Sequence, residues 1–418
     1  MNTRADATRP NAVATSTPSP SSIVDVAVIG GGIVGAAAAL ASAHAGLSTA
    51  WVAGETRVVP AAHASGDWDA RVYALSPATC AFLAELRVWP QLDAARMAAI
   101  RDMRIYGDRD GRSSLHFGAY EAGIESLAAI VEHRALARVL DTAASFAPGI
   151  ERIDGLATNV AADDEMVMFG TARGLRRARL VVAADGAHSP TRDALGIDVT
   201  TRPYAQKAVV GHFHCARPHG GTAFQWFDDG VIALLPMPDI DGRPAVSLVW
   251  SAPDALADEL MAEGSAGVAA RLTALVAHRA ESAIGPIESI GPLIAVPLVL
   301  QFASRFAGKR GVLVGDSAHV VHPLAGQGLN LGLQDVEVLV ELLAAREPFR
   351  DCGDVRLLRR YERARAEPVY AMRGATDGLA RLFGIEGSLP RAVRGLGMRF
   401  VDRTPPLKRL LMRHASGL

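Results

Sequence analysis

Three glycines, Gly30, Gly32 and Gly35, carry the first chemistry legible in the chain. They follow the β-branched run Ile23-Val24-Asp25-Val26-Ala27-Val28-Ile29 and open an Ala-rich stretch that stops at Gly46. In that context Gly30 permits a tight turn, Gly32 lets a pyrophosphate approach the backbone, and Gly35 lets a helix pack closely on a sheet. The anion would rest on N–H groups left free at the positive end of the helix. The blander reading is a Gly-rich turn in an α/β unit that holds no ligand. A ribose-binding acid is expected where the second strand ends, near Ala53, and the nearest acid is Glu55. Either that strand runs longer or the ribose is held differently.

Two later segments repeat the passage from an apolar strand into a Gly-containing loop. One is Ala184-Asp185-Gly186-Ala187-His188-Ser189-Pro190-Thr191-Arg192. The other is Gly315-Asp316-Ser317-Ala318-His319, followed by His322-Pro323-Leu324-Ala325-Gly326-Gln327-Gly328-Leu329-Asn330. An acid at such a strand end can accept bonds from sugar or ribityl hydroxyls. The Gly326-Gln327-Gly328 turn offers N–H groups at a helix start, suited to negative charge on a reduced isoalloxazine ring. Each segment alone also reads as an ordinary tight βα turn. The spacings of His319 with His322, and of His212 with His214, admit a metal site. No Cys or acid cluster completes either pair, so no metal is expected. Packing is the expected role of His212 and His214, and His322 is expected to shape its loop.

Strand, Gly turn, helix and the strand Leu47 to Ala53 make a βαβ unit. The pattern turns helical from Pro77 to Ala99, and Met103 to Phe117 reads as a hairpin with a turn at Asp108-Arg109-Asp110-Gly111. Glu132 to Phe146 is helical, and Val167 to Val182 reads as strands around Gly174. VVGHFHC, TAFQWF, VIALLPM and AVSLVW, between Val209 and Trp250, predict an antiparallel sheet in a separate lobe. Asp254 to Ala283 is helical, Val312 to Gly315 is a buried strand, and a helix starts at about Leu329. No repeat and no long linker interrupts these elements, so the domains interleave.

At roughly 150 residues per domain, 418 residues suggest two or three domains. Half the residues are apolar and 21% are charged, which excludes a largely disordered chain. A formal net charge of −1 excludes a global basic field, and no nucleic-acid partner is expected. Cys80, Cys215 and Cys352 lie far apart, which excludes a disulfide scaffold or zinc ribbon and fits a reducing cytoplasm. Residues 1–21 are polar with no apolar core, and read as a disordered tail rather than a signal peptide. No run of 18 uncharged apolar residues occurs, so no membrane span is expected. From Arg346 onward there are 16 Lys and Arg against 8 Asp and Glu, while the first 345 residues carry a net −9. This basic helical region is either a surface for anionic lipid or a partner, or a solvated face packed on the body.

The three motifs in this order resemble the FAD-dependent aromatic hydroxylases related to para-hydroxybenzoate hydroxylase. Arg71-Val72-Tyr73-Ala74-Leu75-Ser76, Val131 to Leu136, Ala233 to Pro236 and His322 through Asp335 (HPLAGQGLNLGLQD) are similar to the ubiquinone-biosynthesis branch. So is the tail from Leu379 to Gly417; the resemblance covers about residues 23 to 417. With the elements above, it implies an α/β fold. A Rossmann-like FAD-binding domain (22–100, 122–198 and 286–345) would interleave with an antiparallel-sheet substrate lobe (101–121 and 199–285), followed by a C-terminal basic helical region (346–418).

By matching position, the resemblance implies that Gly30, Gly32 and Gly35 hold the FAD pyrophosphate and that Arg71 contacts FAD near it. Asp185 and Gly186 would serve FAD and the pyridine nucleotide, and Asp316 the ribityl chain. Pro323, Gly326, Gln327, Gly328 and Asn330 would lie along the isoalloxazine. His133 stands where relatives often carry Asn or Gln near FAD, and Ala53 departs from the usual acid.

The implied reaction is hydroxylation of a polyprenylated phenol or benzoquinol on the path to ubiquinone. NAD(P)H would be the reductant, O₂ the co-substrate, and a C4a-hydroperoxyflavin the oxidant. No catalytic acid or base is identified. A soluble-aromatic hydroxylase, an isoprenoid reductase and a non-catalytic subunit of a biosynthetic complex are the competing readings. The apolar side chains Phe213, Phe224, Trp226, Phe227, Leu234, Leu235 and Trp250 of the lobe are expected to be mostly core. The expected location is cytoplasmic, at the periphery of the inner membrane face, with a ubiquinone-biosynthesis complex as a candidate partner.

Overall fold

The computed structural model describes residues 23–54, 68–107, 114–227, 230–279, 284–322 and 327–384, with Thr404 and Lys408. The expectations for residues 1–21, Glu55, the turn at 108–111, Pro323, Gly326 and the rest of the basic segment beyond 384 lie outside the described residues.

The β-branched strand Ile23–Ile29 forms the middle of a parallel sheet. The order is Gly311–Leu313, Gly174–Ala183, Ile23–Ile29, Thr49–Ala53, Ile150–Asp154. These strands read as nearly continuous apolar runs because both their faces are covered. On one face lie the helices Ile33–His44, His133–Phe146 and Gln327–Ala344. On the other, Val167 and Phe169 of the strand Val167–Thr171 pack over Val24, Ala27 and Val181. Ile29, Ala183 and Leu313 are register partners, so three neighbouring strands end level with one another.

The second sheet is built on the long strand Val199–Cys215, flanked by Arg243–Pro253 and Ile294–Ala303. It continues through Val231–Ile240, Thr222–Phe227, Asp102–Tyr106 and Ser114–Gly118. Two details differ from the sequence reading. Thr222–Phe227 and Asp102–Tyr106 pair in parallel, because the hairpin joins this edge from far upstream in the chain. Ile294–Ala303 falls in the stretch 286–345 read with the nucleotide-binding part, yet it pairs with Val199–Cys215. An apolar run names a buried strand without saying which sheet will bury it.

Helix Asp254–Arg279 covers one face of the second sheet, placing Ala257, Leu260, Val268, Leu272 and Val276 against Phe213, Trp226, Leu248 and Trp250. Among the described helices it alone is long and apolar enough to cross a membrane. Its exposed side carries Arg271, paired with Glu259 and Glu263, so it reads as the cover of the lobe. A small sheet of Val72–Leu75, Ala128–Glu132 and Ala98–Ile100 fills the joint between the two large sheets. Trp68, Ile100 and Ile130 pack there against Ala223, Met237 and Ala245. The C-terminal helix Val355–Gly384 lies along Gln327–Ala344.

Candidate active site

The level strand ends set the site. Gly30, Ala184 and Gly315 each fall just beyond one of three adjacent parallel strands, so motifs about 150 residues apart meet at one carboxyl edge. That edge is where open α/β sheets bind their ligands. The loops are stitched together by the backbone: Ala184 N–H donates to Ile29 O at 2.8 Å, and Val314 N–H to Ala183 O at 3.0 Å. Trp51 Nε1 donates to Gly30 O at 2.9 Å from the second strand.

The first loop has room only where a ligand would need it. A Cβ on Gly30, whose φ is +138°, would lie 2.1 Å from Ala184 O, and one on Gly35 would lie 2.1 Å from Gly30 O. A Cβ on Gly32 would meet nothing within 4 Å. Gly32 caps the helix Ile33–His44 and, having no side chain, supplies no cap to its first N–H groups. The result is a set of donors facing open space at a positive helix end.

The second loop is held by its own side chains. The Asp185 carboxylate accepts from Ser189 Oγ and from Thr191 N–H at 3.0 Å. Arg192 is buried and donates to Ala187 O at 2.9 Å and Ser317 O at 3.3 Å, tying this loop to the third. Gln301 Nε2 reaches the same Ala187 O from the second sheet at 2.7 Å. Asp185 therefore spends its carboxylate on building the loop, while Gly186, at φ +86°, has open space around it. Gln301 and the bridging role of Arg192 were not singled out in the sequence. Their partners are far away in the chain, and only the folded sheet brings them near.

In the third loop Asp316 is solvent-exposed and makes no hydrogen bond among the described residues. Protein nevertheless surrounds it closely enough to push its carboxyl above the ordinary aspartate value, with His319 partly opposing. The carboxylate stands at the strand-end edge, near enough to Tyr73 to help raise that hydroxyl. Across from it lie Arg71 and Tyr73. Tyr73 OH is 2.9 Å from His133 Nδ1, and burial pushes its hydroxyl up to about 12. Burial and Arg71 hold His133 below its usual value. The Arg71 backbone is fixed by Asp69, whose Oδ1 accepts from Arg71 N–H at 3.0 Å and whose Oδ2 accepts from Arg134 N–H at 3.1 Å. The Arg71 guanidinium makes no hydrogen bond or ion pair among the described residues.

Gln327 and Gly328 open the helix Gln327–Ala344, and a Cβ on Gly328 would meet only Val321, at 3.9 Å. Asn330, 1% exposed, uses its amide elsewhere. Its Oδ1 accepts from Ser76 N–H at 2.9 Å and its Nδ2 donates to Ala74 O at 2.8 Å. It positions the helix start against the strand that carries Tyr73. His322 lies 3.1 Å from Gln206 Oε1, edge-on to Tyr204, and burial pushes it down to about 4. It is a neutral wedge against the second sheet. His319 bonds Asp335, and among the described residues no three His, Cys, Asp or Glu group as metal ligands.

The second sheet is apolar on both faces, and one of them meets the joint that carries Arg71. Alternation puts Phe213, Phe224, Trp226, Leu234 and Trp250 under the covering helix, as core. Their neighbours Val210, Val231, Ala233, Leu235 and Val249 point to the other face and stay half-buried. On that face His212 Nε2 contacts Asp69 O at 2.8 Å, which joins the lobe to the Arg71 loop.

An open helix start at Gly32, an unpartnered guanidinium and an exposed carboxylate at the same sheet edge suit an anionic dinucleotide with a hydroxylated chain. This donor set fits FAD. The FAD binding domain family matches residues 23–374. The chain is 36% identical to the ubiquinone hydroxylase UbiL of Rhodospirillum rubrum, covering 98% of this chain and 93% of that one. It is 31% identical to the 3-demethoxyubiquinol 3-hydroxylase of Escherichia coli, covering 94% and 98%. The p-nitrophenol 4-monooxygenase PnpA of Pseudomonas putida shares the fold, with a TM-score of 0.70, 20% identity and 94% and 98% coverage. With those three loops closing one sheet edge, the chain belongs to the FAD binding domain family.

Proposed function

We propose that this protein is an FAD-dependent monooxygenase that hydroxylates the aromatic ring of a polyprenylated phenol or benzoquinol intermediate in ubiquinone biosynthesis. The carrying observation is the half-buried apolar face of Val210, Ala233 and Val249, on the side of the second sheet where His212 meets the Asp69–Arg71 loop. An apolar wall suits a prenyl chain, and a neighbouring polar edge suits the ring and cofactor. The named hydroxylase relatives, similar over almost the whole chain, support the same reading.

In this reading Gly30, Gly32 and Gly35 seat the pyrophosphate, Arg71 neutralises part of its charge, and Asp316 accepts from ribityl hydroxyls. Gly186 leaves open space on the second loop for the cofactors, Pro323 and Gly326 flank the ring, and Gln327 and Gly328 present helix-start N–H groups to it. Asp185 and Asn330 position loops, and His133 orients Tyr73. When bound and reduced by NAD(P)H, the flavin supplies the activation of O₂. The chain binds and orients the ring and excludes water with the buried joint around Trp68, Ile130 and Met237. The location is cytoplasmic at the inner membrane face, with the basic region beyond residue 384 on anionic lipid, open to a biosynthetic complex. Lys408 is held 3.0 Å from Glu121 of the lobe, so the remaining cations carry that contact.

The test is a mass-spectrometric lipid profile of cells lacking the protein. Loss of ubiquinone, with a prenylated intermediate lacking one hydroxyl, is expected. An unchanged profile, with substrate-dependent O₂ uptake on a soluble phenol, would replace this reading. Deleting residues 385–418 should weaken binding to anionic vesicles while FAD stays bound.

A further inference from the structure

Behind the Gly315–Asp316 turn lies a charged cluster in an otherwise apolar core. Asp335 Oδ2 accepts from Gly315 N–H at 2.9 Å and lies 2.7 Å from His319 Nε2. Its Oδ1 accepts from Arg365 Nε at 2.6 Å. Arg365 Nη2 also donates to Leu331 O at 3.2 Å, one turn before Asp335 in the same helix. Asp335, His319 and Arg365 are 1%, 2% and 3% exposed. Burial alone would raise the Asp335 carboxyl, but His319, Arg365 and the Gly315 N–H together hold it below the usual carboxylate range. It stays an anion, and a firm acceptor.

The turn it grips has no other slack. Gly315 has φ +61°, and its added Cβ would lie 3.2 Å from Val34, on the helix that starts at the first motif. Gly332 packs against it so closely that a Cβ there would be 3.0 Å from the Gly315 Cα. Ser317 Oγ ties the turn to Val314 and Ala183 O, and Asp335 holds the Gly315 N–H from which Asp316 departs. Asp335 in turn is held by one side chain from the C-terminal helix.

We propose that Arg365 is a positioning residue for the flavin, acting through Asp335 and Gly315 to aim Asp316 at the bound cofactor. The inference rests on the placement of FAD at Asp316 given above. A rival account makes the cluster mere glue for the C-terminal helix. Tyr361 separates the two. It lies one turn earlier on that helix, is 1% exposed, and donates to Leu313 O at 2.8 Å. It bonds the strand, not the carboxylate.

FAD affinity and the visible flavin spectrum are measured on the full chain, stripped of flavin and titrated with FAD. R365M should raise the FAD dissociation constant on the order of tenfold or more, because displacements well under an ångström matter in a positioned site. It should also shift the flavin absorbance bands. R365K, which keeps the cation but loses the fork, should recover part of both. Y361F should lower the melting temperature and leave FAD affinity and spectrum unchanged.

Wild-type affinity and spectrum in folded R365M would overturn the proposal, as would an equal loss of affinity in Y361F. If R365M does not fold, D335N reads the same step, and wild-type FAD affinity in it would equally overturn the proposal. D316N keeps the two readings apart. Unchanged FAD binding in D316N removes the flavin from Asp316. Weakened binding in D316N with normal binding in R365M removes only Arg365.

Discussion

Gly32 and Gly35 sit one helical turn apart and answer opposite demands. Gly35 is needed because backbone fills the space a side chain would take, with Gly30 O 2.1 Å from an added Cβ. Gly32 is needed because nothing fills that space, at an ordinary φ of −76°. Gly35→Ala should therefore destabilise the fold by about 1–3 kcal/mol through overpacking. Gly32→Ala should melt like wild type but bind FAD more weakly, since its methyl enters the open space before the N–H groups. Thermal melts with parallel flavin titrations check both; equal melting losses would refute the distinction.

His322 makes a second residue-level prediction. Burial holds it down to about 4, against about 6.5 in an unfolded chain. Above pH 6.5 neither state binds the proton, so stability is flat. Below it the unfolded chain takes up a proton that the native one refuses, and stability falls until about pH 4. The shift corresponds to about 3 kcal/mol. His212 and His219 are lowered by burial too, so part of the acid loss will remain in His322→Asn. Urea midpoints at pH 7 and 4.5 should differ more for wild type than for the variant. Equal differences would contradict the burial argument.

Among the elements, the second sheet shows how a period of two divides labour. In Val231–Ile240, Ile232 and Leu234 lie under the helix Asp254–Arg279, while Val231, Ala233 and Leu235 lie on the opposite face, where Leu235 packs in the joint. Leu234→Ala should cost about 2–5 kcal/mol, because it leaves a cavity in a dry core. Ala233→Trp should keep the melting temperature and FAD affinity but raise KM for a prenylated substrate, by filling the wall. A melting loss in Ala233→Trp matching that of Leu234→Ala would show the face is closed core. The composition of the lobe could not separate these residues, since both faces are apolar. Register did, by pairing Leu234 with Leu248 and Ala233 with Val249.

At the scale of the whole molecule the chain passes between the two large sheets more than once. Asp102–Tyr106 leaves the nucleotide-binding part to cover the edge of Thr222–Phe227, and Ile294–Ala303 completes the other side of Val199–Cys215. The lobe borrows an edge from residues far upstream. A fragment of residues 199–303 should thus be insoluble or molten alone, with Thr222–Phe227 left as an open, apolar edge. Adding residues 101–121 in trans should recover native-like near-ultraviolet circular dichroism; a well-folded fragment without them would contradict the interleaving.

What the sequence determined by itself is local. A β-branched run, a glycine triplet and an Ala-rich helix specify a βαβ turn because its conformational needs are met within one short stretch. The same holds for the turns at Asp185 and Asp316, whereas the helical pattern read from Pro77 to Ala99 ends at Glu85, and Ala98–Ile100 is a strand that pairs with Ala128–Glu132. The joining of those loops at one edge depends on Ile29, Ala183 and Leu313 being register partners, a long-range pairing that no single stretch encodes. So do the identity of the sheet that takes Ile294–Ala303, and the roles of Arg192, Gln301 and Arg365. Each of these side chains is an ordinary polar residue until the fold brings its partner within about 3 Å, and buries both where an unmade bond costs most.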